Sequence, residues 1–122
     1  MKGGDVVYAD SKGDFCPVRF VELMSNKGEE ENDVLERVQV VKVPTHSDLL
    51  KAVSRIADMT CVKLVIVDNI TFPVMSLLER GSGKEAFSLG CKICHLLHKI
   101  AKTQGSIVLV VSNLKVWISL DV

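Results

Sequence analysis

The chain has no excess of charge in either direction: fifteen basic and fifteen acidic residues cancel. Global charge therefore argues for no particular partner, and any contact with nucleic acid has to be local. Long apolar runs are missing too. The longest, Ile107 to Val111, is far short of a membrane span. The start, Met1-Lys2-Gly3-Gly4-Asp5, lacks the apolar core that export signals need. The four cysteines (Cys16, Cys61, Cys91, Cys94) lack disulfide-scaffold spacing and read as reduced, intracellular thiols. No internal repeat or low-complexity segment is present. What remains is a packed globular composition, 48% hydrophobic with a mean hydropathy of +0.27. At 122 residues it forms one domain, with a real core and nothing spare for a second.

The chain is organised around Val62-Lys63-Leu64-Val65-Ile66-Val67-Asp68-Asn69, where a short apolar run meets a carboxylate. Such a run suits a strand covered on both faces in a parallel sheet, with Asp68 at its C-terminal end, where open α/β sheets collect ligands. Ahead of it, Asp5 to Asp10 reads as a strand closed by the turn Ser11-Lys12-Gly13-Asp14, and Pro17 opens a helix to about Asn26. Lys27 to Asp33 is a charged, exposed connection. A second strand centres on Arg37 to Val43 and stops at Pro44. Thr45 or Ser47 caps a helix over Asp48 to Met59. Ile70 to Gly83 reads as a loop, Lys84 to Gln104 as a helix ended by Gly105, and Ile107 to Asn113 as another buried strand. Lys115 to Val122 fits one more strand, on an edge. The alternation predicts an α/β fold with a mostly parallel sheet flanked by helices.

Two motif matches carry little chemistry. Gly81-Ser82-Gly83-Lys84 has Leu78 where a phosphate loop needs its first glycine, and Glu85 follows the lysine. Cys91-Lys92-Ile93-Cys94-His95, extended by His98, puts four potential ligands, two cysteines and two histidines, on one helix face. Positions 91 and 98 are about 10 Å apart along the axis, so one straight helix cannot wrap all four around a single zinc. The expectation is structural cysteines and a polar-face histidine pair. A third constellation holds more: Asp10, Asp68 and Ser112-Asn113 end three strands of one parallel sheet and can converge on one edge. Carboxylates there hold magnesium through oxygen, and a polar residue on the next strand can sense a phosphate. The same residue types also end strands simply because they initiate turns.

In order and spacing, the blocks Val6 to Phe20, Lys63 to Pro73 and Ile107 to Asn113 resemble RecA/RadA-type recombinases: a strand-turn-helix, the Walker B strand with the first DNA-binding loop, and the strand opening the second DNA loop. The resemblance covers about residues 5–114. It is nearest in flavour to the eukaryotic recombinase paralogues of homologous-recombination repair. The D type, whose strand-turn block also departs from the acid, is one candidate. It implies a single partial RecA-like core of the P-loop NTPase type and a nuclear, DNA-repair protein that uses ATP and magnesium. Its partners would be single-stranded DNA and sister paralogues, with no membrane. Asp68 would be the magnesium acid, Asp68 and Asn113 would face the nucleotide, and Arg80 and Lys84 would meet DNA phosphates. The departures are specific. The family's phosphate-loop strand has no counterpart before Asp5, Lys12 occupies the catalytic glutamate position, and Leu114 replaces the phosphate-sensing glutamine. Without that strand, Ile107 to Val111 is expected to keep an unpaired edge, leaving the chain marginal, sticky or dependent on a partner. Residues 115–122 match nothing in the family pattern. ATP hydrolysis by this chain alone is therefore not expected. Two rival readings remain open: a receiver-like phosphoacceptor domain using Asp10, Asp68, Ser112 and Lys115, and an α/β interaction module without a ligand.

Overall fold

The computed structural model describes residues 5–25, 36–79 and 83–112. Among them the elements run β1 (Asp5–Asp10), α1 (Pro17–Ser25), β2 (Val38–Lys42), α2 (His46–Ala57), β3 (Val62–Asp68), α3 (Thr71–Glu79), α4 (Gly83–Gln104) and β4 (Ile107–Val111). The strands form one all-parallel sheet in the order β2-β1-β3-β4. This is the expected α/β class. The chain leaves β1 toward β2 and then crosses back over β1 to β3. With right-handed crossovers, that reversal sends α1 to one face and α2 with α4 to the other.

The core lies under α2 and α4. Strand alternation aims Val7 and Ala9 of β1 and Val65 and Val67 of β3 at that face, and all four are buried. Leu49, Val53 and Ile56 of α2 and Ile93, Leu97 and Ile100 of α4 recur at three- and four-residue spacing and complete the cluster. The opposite face carries Tyr8, whose ring centroid lies 4.9 Å from that of Phe15, which is in turn 5.9 Å from Phe20 of α1.

Local signals account for the helix boundaries. Pro17 sits at the first position of α1, where no amide hydrogen is needed. Thr45 caps α2: its Oγ1 accepts from the Asp48 amide at 3.1 Å and donates to the Asp48 carboxylate at 2.8 Å. Gly105 closes α4 with φ 65°, the left-handed geometry of a C′ glycine.

Two expectations are corrected. The segment read as a loop from Ile70 contains α3. Pro73 falls within its first turn, where proline costs no hydrogen bond, and Asn69 Oδ1 caps the Phe72 amide at 2.9 Å. Strand β4 was expected to be buried but is an open edge: Ile107 is 64% exposed and Leu109 50%, because among the described residues nothing pairs with its outer side. The charged connection at 27–33, the loop tip with Arg80, Asn113 and the strand read at 115–122 all lie outside the described residues.

Candidate functional site

Register builds the site. Asp10 of β1 pairs level with Asp68 of β3, and Asp68 with Val111 of β4, so the three strand ends do meet on one edge of the sheet. Ser11, Asn69 and Ser112 follow directly. The junctions are tied together. The Ser11 amide donates to the Asp68 carbonyl at 2.9 Å, Ser11 Oγ accepts from the Asn69 amide at 2.8 Å, and the Ile70 amide donates to the Val111 carbonyl at 2.9 Å. The hydroxyls of Thr71 and Ser112 lie 3.0 Å apart. The Asp68–Asn69 peptide is cis.

The two acids do different things. Asp10 is almost fully buried, and its carboxylate is occupied by backbone: Oδ1 accepts from the amides of Gly13 (2.9 Å) and Asp14 (3.1 Å), and Oδ2 from Phe15 (3.1 Å). Burial alone would push its carboxyl up. The amides of Phe15, Asp14, Gly13 and Lys12 outweigh that and leave it below the ordinary carboxylate value. Asp10 therefore shapes the turn, with Gly13 in the left-handed region (φ 78°) as the turn requires.

Asp68 is partly buried and accepts a short hydrogen bond at Oδ2 from the Tyr8 hydroxyl. Burial pushes the Tyr8 phenol far up from its ordinary value, and the Asp68 carboxylate holds it there. Lys12 is exposed at the mouth of the edge, its Nζ 6.0 Å from the centroid of the Phe72 ring on α3. Lys84 is exposed in the first turn of α4.

A magnesium nucleotide needs several oxygen donors and a cradle of amides for its phosphates. Asp68 offers one carboxylate with one oxygen not engaged by Tyr8, while Asp10 has none to spare. No group of three or more potential metal-ligating side chains occurs among the described residues. The described residues thus offer a single carboxylate with an oxygen to spare at this edge and do not fit the bound group.

Sequence reasoning missed Tyr8 and Asn69 as organisers of this edge. The Tyr8 contact is between adjacent strands sixty residues apart and leaves no local pattern, whereas Asn69 three residues before an amide near a proline is a capping signal. It also missed a groove of about 660 Å³ between β2 and α2, floored by Val7, Val41, Leu50 and Met59 with Lys51 and Arg55 beside them. The cysteines of α4 are corrected as well: Cys91 and Cys94 are exposed rather than structural.

Set against known families, residues 1–119 match the family model described as Rad51. Among curated proteins none matches the chain at a significant level.

Proposed function

The chain belongs to the Rad51 family, and from that premise we propose that it is a recombinase paralogue acting in homologous-recombination repair in the nucleus through DNA and sister paralogues, with a degenerate ATP site. The family makes a recombination and repair function, in an ATP-dependent, DNA-binding and oligomer-forming setting, the general frame. The observation that carries the finer reading is Lys12. At the mouth of the sheet edge, in the position of the family's catalytic glutamate, stands an exposed cation over the Phe72 ring. A charged lysine cannot take a proton from water. Asp68 keeps the place of the magnesium acid, and Asp68 and Asn113 are the residues that would face the nucleotide in the family pattern. Arg80 and Lys84 are the basic side chains for single-stranded DNA. Among the described residues β2 is an edge strand, and the groove between it and α2, lined by Val41, Leu50 and Met59 together with Lys51, Arg55 and Asp48, is the surface for a partner segment.

The receiver-like alternative is compatible with the strand order. The family match speaks against it, and so does Asp10, whose oxygens are occupied by backbone amides.

The test joins two measurements on the purified chain. ATP turnover should stay at background. Robust turnover that survives Lys12→Ala and disappears in Asp68→Ala would overturn the role given to Lys12. In the same preparation, the Arg80→Ala/Lys84→Ala double variant should bind single-stranded DNA more weakly and flatten its salt dependence, by about 0.7 in logarithmic slope for each lost phosphate contact. Unchanged affinity would remove DNA from this loop.

A further inference from the structure

Helix α4 has two faces. Ile93, Leu97 and Ile100 are buried against the sheet. On the opposite side, at about 100° per residue, lie Cys91, Cys94, His95 and His98, all exposed, with Phe87 76% exposed one turn before them. Nothing in the proposed DNA and partner functions uses this stripe. Its residues form two identical pairs at the i, i+4 spacing, Cys91 with His95 and Cys94 with His98. Such pairs place their Cβ atoms about 5–6 Å apart, close enough for both side chains to reach one ion.

We propose that this face is a zinc site shared between two copies of the chain. Each Cys/His pair supplies half of a tetrahedral Cys2His2 set, and the second copy supplies the other half. Two observations point to sharing. No group of three or more potential ligands occurs within the described residues of one chain, and the spread of the four along the axis prevents a straight helix from gathering them around one ion. The stripe is also self-complementary. When two α4 helices pack antiparallel about a two-fold axis between positions 94 and 95, Cys91 and His95 of one copy come opposite His98 and Cys94 of the other. The two-fold repeats this on the far side and makes two equal sites per pair. Phe87 then meets the last turn of the partner helix and gains cover that it lacks in the single chain. Zinc is the fitting ion because two thiolates and two imidazoles form its usual closed structural set. Binding exchanges the two thiol protons of each site for the metal, and these protons go to solvent.

The experiment adds zinc chloride alone to the reduced, metal-free chain and measures retained metal and molar mass by sedimentation. One zinc per chain with a doubling of mass, reversed by chelator, is expected. Cobalt in place of zinc should show thiolate charge-transfer absorption. Cys94→Ser and His98→Ala, both at exposed positions, should each abolish the zinc-dependent mass change, whereas Cys61→Ser should leave it intact. Zinc retained by a monomer would overturn the shared site, as would no retained zinc or a dimer that persists in both variants.

Discussion

Asp10 and Asp68 are the same residue type, level with each other on neighbouring strands, yet their surroundings give them different work. Asp10 holds the turn after β1 through three amides, so its value to the fold depends on its charge. Its carboxyl lies below the ordinary 3.8 when folded, so it stabilises the protein above about pH 4, and that contribution fades as pH falls through the folded value. Asp10→Asn should cost about 1–3 kcal/mol near neutrality, and the gap from the parent chain should close in strong acid. Urea unfolding at a series of pH values checks this, and a gap independent of pH would assign the loss to shape instead of charge. At this scale the sequence was legible only in part. It brought both acids to one edge correctly. It could not tell a ligand-facing carboxylate from a turn-holding one, because that depends on where the amides of residues 13–15 point.

Among the elements, strands β1 and β3 announced themselves at their observed bounds, since apolar runs that end in an acid admit few other readings. The start of α2 was narrowed to Thr45 or Ser47, and the Thr45 hydroxyl settles it by bonding to Asp48. Helix α3 escaped because a proline three residues in looks like a breaker unless the asparagine cap before it is recognised. Gly105 offers a clean test of chain termination. A Cβ there would meet nothing within 4 Å, so any penalty is purely conformational. Gly105→Ala should destabilise by about 1–2 kcal/mol, the cost of the left-handed region for a residue with a side chain. Thermal unfolding would measure it, and a neutral result would mean that the helix end simply shifts.

Across the whole molecule the sheet is unevenly clothed. Among the described residues one face carries α2 and α4, whereas Val40, Leu109 and Val111 on the other remain substantially exposed, and β4 presents an unpaired apolar edge without a lysine, proline or bulge. Edges of that kind pair with other chains. Leu109→Lys should therefore reduce concentration-dependent association in light scattering, at little cost in stability. Equal association in the variant would place the sticky surface elsewhere. The unpaired edge was expected, but the strand's burial was misjudged from sequence, because burial is set by neighbours and Ile107 to Val111 has the composition of an interior strand. The strand order has a further consequence for how the molecule assembles as it is made. β1, the earliest of the four strands to be translated, lies inside the sheet, and β2, β3 and β4 are each added against a strand already present: β2 on one side of β1, β3 on the other, β4 outside β3. After β1 itself, no strand has to wait for a later one to find a partner. The sheet can grow while the ribosome is still at work, and among the described strands the last made, β4, stands at one of its two edges.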